Sequence, residues 1–213
     1  MNTIEIITLS MGTAWASGIN LYAAIFMLGY MGVTGNVDLP PDLEILTNPL
    51  VMAAAGFMYA VEFFADKVPG VDSVWDSLHT FIRIPAGAML AAGAVGELGA
   101  GAELAAMLVG GTLTTATHAT KSGSRVLINA SPEPFTNWVA SVTEDVAVIG
   151  GLWAALMHPW LFVALLIVFI LLLVWLLPKI WRGIKFVFAK IRSLFGGKKP
   201  ESPNPDPDPP APS

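Results

Sequence analysis

The chain has 213 residues, of which 54% are hydrophobic and 13% are charged. An average soluble domain carries about 25% charged residues, and the mean hydropathy here is +0.65. A water-soluble globule of this size could not hide that surplus, so composition selects an integral membrane protein and leaves no length for a sizeable soluble catalytic domain. The net charge of −5 hides a segregation of the two signs along the chain. Cysteine is absent, which excludes disulfides, thiolate catalysis and Cys-based metal sites. Residues 1–6 contain no Lys or Arg, unlike the basic start of a signal peptide.

Six apolar spans follow in chain order. The first, residues 6–33, is uncharged and longer than a bilayer requires. Its middle reads Trp15-Ala16-Ser17-Gly18-Ile19-Asn20, a composition that favours a kink or a break. The second covers 46–66, with Pro49 placed for a first helical turn. The third covers 73–98 with Pro85 inside it, the fourth 102–126 and the fifth 135–157. The sixth, 159–177, is apolar on every side, which sets it against lipid at the edge of the bundle. The expected fold is all-α: a polytopic membrane bundle of about six transmembrane helices, the first and third interrupted or kinked, over residues 1–178. Ala88, Ala92 and Gly96 are spaced for close helix contact.

After Pro178 the pattern changes. Ile180, Trp181, Ile184, Val187, Phe188, Ile191, Leu194 and Phe195 recur at helical spacing, with Lys179, Arg182, Lys185, Lys190 and Arg192 mostly between them. Residues 179–197 read as an amphipathic interfacial helix, whose 179–195 stretch suits anionic inner-leaflet lipids. A partner-binding helix is the alternative. Residues 198–213 are Pro-rich and read as a disordered tail. From Lys179 to Lys199 there are seven basic residues and no acid, which assigns that end to the cytoplasm. Six spans then put both termini on the cytoplasmic side of the cell (inner) membrane. The loops near Lys67 and after Arg125 become inner. Residues 34–45, 99–101 and the His158-Pro159 turn become outer, and none contains Lys or Arg.

Charges inside the spans fall in stripes. Glu62 and Asp66 are i, i+4. Asp72, Asp76, His79 and Arg83 follow at i, i+4, i+7, i+11, and Thr114, His118, Lys121 and Arg125 repeat that spacing. Asn137, Ser141 and Glu144 are i, i+4, i+7, with Asp145 beside them. Each set occupies one narrow helix face. The first span adds Ser17 and Asn20. Such stripes can be buried only against one another or along a water-filled cavity. The bland reading pairs opposite charges to lock the bundle, with Asp66, Lys67, Asp72, Lys121 and Glu133 at headgroup level. The sharper reading is a hydrated functional centre. Glu62, Asp66, Asp76, Glu144 and Asp145 outnumber Arg83, Lys121 and Arg125, so the surplus acids must be protonated, cation-bound or hydrated. The adjacent Glu144-Asp145 pair resists joint ionisation, the chemistry of a proton or cation relay. His118, Lys121 and Arg125 form a basic stripe suited to a phosphate or carboxylate.

No Walker loop, dinucleotide-binding glycine pattern, HExxH or Gly-x-Ser-x-Gly occurs. No cofactor, metal or nucleic acid is expected. Three motifs stand out: Ser17-Gly18-Ile19-Asn20-Leu21-Tyr22; Glu62 to Arg83 with Asp66, Lys67, Pro69, Asp72, Trp75, Asp76, His79 and Thr80 between; and Lys121 to Asp145 with Arg125, Asn129, Ser131, Pro132, Glu133, Pro134, Asn137, Ser141 and Glu144 between. Together, over residues 1–160, they resemble the bacterial membrane family labelled domain of unknown function 4126. The resemblance brings no activity with it and leaves the last span, basic helix and tail as additions. The Lys67-Val68-Pro69-Gly70 and Ser131-Pro132-Glu133-Pro134 loops, each followed by a polar-striped helix with a Trp near its start, give a weak internal symmetry.

The leading expectation is a small transporter or channel-like permease, possible as a homo-oligomer, moving a small solute through a polar centre. The lining would be Asn20, Glu62, Asp66, Asp76, His79, Arg83, His118, Lys121, Arg125, Asn137, Ser141, Glu144 and Asp145. An anionic solute and coupling to a proton or cation are among the options. The alternatives are a membrane enzyme on a lipid or phosphate substrate at the cytoplasmic face, and a non-catalytic membrane organiser.

Overall fold

The computed structural model describes residues 1–130 and 134–195. The Pro-rich tail, the last residues of the basic stretch and Glu133 lie outside the described residues. Six α-helices follow one another: α1 Thr3–Val33, α2 Pro49–Ala65, α3 Val71–Gly93, α4 Ala100–Asn129, α5 Pro134–Met157 and α6 Pro159–Phe195. A short 3-10 helix, Pro41–Thr47, precedes α2 at an angle of 68°. No strand occurs among the described residues. α1, α5 and α6 have the length and apolarity of a membrane span, as does the bent pair of Pro41–Thr47 with α2 taken together. The protein is a helical membrane protein.

The helix ends have local causes. At the start of α1, the Asn2 side chain accepts from the Glu5 N–H, and the Glu5 carboxylate accepts from the Asn2 N–H, a reciprocal cap that satisfies two orphan donors. Asn48 caps α2 by accepting from the Leu50 N–H, with Pro49 in the first turn. α3 continues through Pro85 and α6 through Pro178. The expected interruption of the third span is therefore not seen as a break in the helix. The basic stretch is likewise the continuation of the last helix rather than a separate element. Proline removes one N–H and crowds one carbonyl, and the flanking turns carry the helix past it.

The break expected in the first span is present, and its consequence is larger than a kink. Asn20 leaves the helical region with φ −146° and ψ 95°. Before the break, α1 packs inward along the bundle. Ser10 donates to the Ala91 carbonyl, and the Ile19 carbonyl reaches Arg83. After the break the chain returns. Leu9 and Leu28 belong to one apolar cluster with Leu43, Leu46, Leu90 and Ala94. Met1 and Ile6 share a small cavity with Asp38, Leu39 and Pro40, which follow α1 in sequence. Both ends of α1 therefore lie at one end of the bundle.

The six expected spans appear as six helices, but α1 does not run the length of the bundle. An uncharged run of that length reads as a crossing, but the Asn20 break lets it fold back. Residue 1 sits with Glu97 and Leu98 at one end. The last described turns of α6 lie at the other, where Ile180 and Ile184 pack on Gly123 and where Leu127 abuts Gly183. The first end carries Glu5, Asp38, Asp42, Glu44, Glu97 and Glu103 without a Lys or Arg. All eleven basic residues lie elsewhere, at 67, 83, 121 and 125 and between 179 and 199.

Close packing holds α1, α3 and α4 together. A Cβ on Gly18 would overlap the Thr117 hydroxyl, one on Gly87 the Thr114 hydroxyl, and one on Gly110 the Ala91 methyl. The small-residue seam thus runs through Gly87 and Ala91, while Gly96 of the expected stripe faces Asp42. α6 lies at the edge as expected, with only 11% of its apolar window buried.

Candidate functional site

The break at Asn20 builds the site from the backbone. In an unbroken helix the Ile19 carbonyl would accept from the Ala23 N–H. Instead the Ala23 N–H donates to Asn20 Oδ1 at 3.0 Å, so Asn20 acts as the N-cap of the returning half. The released Ile19 carbonyl accepts from Arg83 Nη1 at 3.1 Å and from Lys121 Nζ at 3.0 Å. Asn20 Nδ2 donates to Asp145 Oδ1 at 3.0 Å. A main-chain group, invisible to motif reading, thereby becomes a ligand for two cations.

Around it the stripes of α2 to α5 meet. Lys121 is the hub: its ammonium donates to Glu62 Oε1 at 3.1 Å and Asp66 Oδ2 at 2.8 Å. It also lies 3.7 Å from Asp76 Oδ1 and 3.6 Å from Glu144 Oε2. Arg83 pairs with Glu62 Oε1 at 2.5 Å and lies 3.1 Å from Asp76 Oδ1. Arg125 pairs with Glu144 Oε2 at 2.7 Å and donates to the Asp66 and Asn137 carbonyls, each at 3.1 Å. Arg83 and Glu62 are fully buried, whereas the Glu144 side chain keeps 20% of its surface exposed. Glu144 is thus the most accessible carboxylate of these ion pairs.

Polar contacts extend the centre toward the end that holds the α2–α3 loop. Asn137 donates to Asn129, which donates to Asp72 at 2.7 Å. Asp72 also accepts from the Gly70 and Ser73 N–H groups, where Gly70 turns the chain with φ +86°. Lys67 donates to the Phe63 carbonyl and to Ser141, over the faces of Phe63 and Trp138. Asp66, Lys67, Asp72 and Lys121 are all buried, so headgroup contact, the bland expectation, does not describe them. Lys67, Asp72 and Asn129 belong to the network although they were not among the expected lining.

Two expected members sit apart. His79 stacks on Trp75 at 4.1 Å and faces the edge of Tyr22, outside the ion pairs. His118 lies beside the centre, 2.7 Å from the Thr80 hydroxyl and 3.5 Å from Arg83 Nη1. The Glu144-Asp145 pair does not act as a joined pair of carboxylates. Helix neighbours point about 100° apart, and here one meets Arg125 while the other meets Asn20. The basic stripe of His118, Lys121 and Arg125 does not stand ready for an external anion either, because the chain's own carboxylates occupy Lys121 and Arg125.

The acids exceed the cations. Glu62, Asp66, Asp72, Asp76, Glu144 and Asp145 face Lys67, Arg83, Lys121 and Arg125. Glu62 Oε2, Asp66 Oδ1, both Asp76 oxygens and Asp145 Oδ2 are buried without a hydrogen bond, Asp76 Oδ1 being close to Arg83 but out of line. A buried carboxylate oxygen without a donor is costly unless it takes a proton, a water or a cation. Among the described residues no group of three or more His, Asp or Glu is placed to hold a metal ion.

Fold and site together define a helical membrane protein with a buried ion-pair centre built around a broken helix. The chain belongs to the family described as domain of unknown function 4126, matched over residues 7–179. The match includes the apolar part of α6, so the last span is part of the family's domain rather than an addition to it. No curated protein and no solved structure matches the chain.

Proposed function

We propose that this protein is a permease that moves a proton or a small cation through the centre around Lys121. The observation that carries the reading is the α1 break, which delivers the Ile19 carbonyl and Asn20 into a buried, acid-rich charge network. Helices broken at membrane depth, with freed carbonyls facing a polar site, are a construction that transporters use. Charges in the bilayer interior are costly and mark ion or proton pathways. The occupied basic stripe argues against an anionic solute, and against a phosphate-binding enzyme at Lys121 and Arg125.

In this reading the basic end is cytoplasmic and the acidic end external. α1 then enters from outside and returns outside, and residue 1 is external while α6 ends inside. Anionic lipids would gather at that inner end. There Lys179 lies over the Trp175 ring and Lys185 near the Trp181 ring, amphipathic groups suited to the headgroup layer.

The test is proton flux into proteoliposomes under an imposed potential, read by an entrapped pH dye. The wild-type chain should dissipate the gradient faster than empty vesicles, and Glu144→Gln should return the rate to the leak while the protein stays folded. A wild-type rate equal to the leak, with inorganic monovalent cations also failing to move, would leave the charges as a structural lock, the reading favoured by the carboxylate partner that each of Arg83, Lys121 and Arg125 possesses.

A further inference from the structure

Between the returning half of α1, α2 and α5 lies a cleft of about 500 Å³ that takes no part in the ion pairs. Its wall includes Phe26, Met27, Tyr30, Tyr59, Trp153 and Met157. Phe26, Tyr30 and Trp153 keep roughly 38%, 53% and 47% of their surface exposed, so the cleft opens on the flank of the bundle. The volume suits a small organic ligand. Aromatic faces attract cations that carry apolar substituents, and Met side chains adapt to varied shapes.

The deep end of the cleft points at the charged centre. Ala23, Tyr59 and Ile149 line it. One helical turn further inward on the same three helices stand Asn20, Glu62 and Asp145. Asp145 is only 7% exposed. Its Oδ1 accepts from Asn20, and its Oδ2 has no hydrogen-bond partner among the described residues. The aromatic, thioether-rich wall stops one helical turn short of the Asp145 carboxylate, on the side of a centre with surplus acid, and this pairing of wall and charge suits an apolar cation. An anion would meet carboxylates there, and a neutral lipid chain would make no use of the acidic floor.

We infer that this cleft binds a lipophilic organic cation, with Asp145 as its counter-ion, and that such cations are the substrate class of the permease. The inference rests on the transport reading above for the second half of that statement only. The experiment is equilibrium binding of labelled tetraphenylphosphonium to the full chain in detergent, with tetraphenylborate, an anion of the same size and shape, as competitor. Saturable binding is expected, with little displacement by tetraphenylborate. Asp145→Asn should weaken it about tenfold or more, as loss of a buried charge partner does. Trp153→Leu should weaken it about threefold, by loss of one cation–π face. Displacement by tetraphenylborate at equal concentration would show a surface that is merely apolar, such as a lipid seat, and would overturn the proposal. Undiminished binding in both variants would also overturn it. The charge-sign comparison uses the wild-type chain, so it decides even where Asp145→Asn does not fold. Proton flux without phosphonium binding would overturn the cleft and leave the permease. Phosphonium binding without phosphonium transport or proton flux would keep the site and overturn its role in transport.

Discussion

The two halves of the bundle are built on opposite principles. Toward the acidic end, α1, α3 and α4 are joined by small residues and leucines: Gly110 against Ala91, with Leu9, Leu28, Leu43 and Leu90 in one dry cluster. From the middle to the basic end, the same helices carry Arg83, Lys121 and Arg125, each buried and each answered by a carboxylate from another helix. The boundary between the halves falls at Asn20, the point where α1 turns back. In membranes small residues suffice for close helix packing, and the first half shows that this chain can use them. The two halves thus use different means of cohesion, and the proposed transport rests on the charged one.

The largest expected effect lies in the charged half. Arg83→Met leaves Glu62 without its closest partner and Asp76 without its nearest guanidinium. A broken buried pair costs about 3–5 kcal/mol, so thermal unfolding should shift down sharply, and adding Glu62→Gln should recover part of the loss. Failure of the double variant to recover would show that Arg83 acts by packing alone. In the dry half, Gly110→Val should cost less, about 1–3 kcal/mol as for other overpacked sites. It should leave ion flux per folded molecule unchanged. A flux lost with folding intact would mean that the dry half is not merely a seal.

At the boundary, Asn20→Ala removes the cap of the returning half and the partner of Asp145. About 0.5–2 kcal/mol of stability should go with the cap, together with most of the flux. Asn20→Asp keeps the capping oxygen but places a second carboxylate beside Asp145, and should preserve the helix while still impairing flux. Glu144→Gln removes the carboxylate closest to the buried Arg125 but keeps the shape, and Asp66 Oδ2 stays 3.6 Å from the guanidinium, so its stability loss should be smaller than that of Arg83→Met. Flux is its sensitive readout, as stated above. A large stability loss without a flux change would make Glu144 a structural residue.

Periodicity alone identified the faces of α2 to α5 that meet, because a buried charge needs a partner and the i, i+4, i+7 spacing leaves few arrangements for it. The break at Asn20 was legible too, since a Ser-Gly pair and an Asn rarely lie idle in an apolar run. Its outcome was not legible, because nothing in an uncharged run distinguishes a bend from a full return. That distinction rests on contacts such as those of Leu9 and Leu28 with the same cluster, which link residues far apart in sequence. Lys67 and Asp72 were misread for a related reason. Their position at helix ends suggests headgroups, yet Phe63, Ser141 and Asn129 from surrounding segments cover them. The Ile19 carbonyl is a main-chain group, which no side-chain motif can announce.

The return of α1 is what brings Asn20 and Ile19 into the charged centre, and in the proposed reading it puts residue 1 and the last described turns of α6 on opposite faces of the membrane. The chain has no cysteine, so single cysteines at Thr3 and at Arg192 can be labelled with an impermeant thiol reagent in intact cells and again after permeabilisation. Labelling of the Thr3 position in intact cells, with the Arg192 position reached only after permeabilisation, is the predicted result. Both positions reacting from the same face would show that α1 crosses the membrane and would contradict the fold-back on which the site is built.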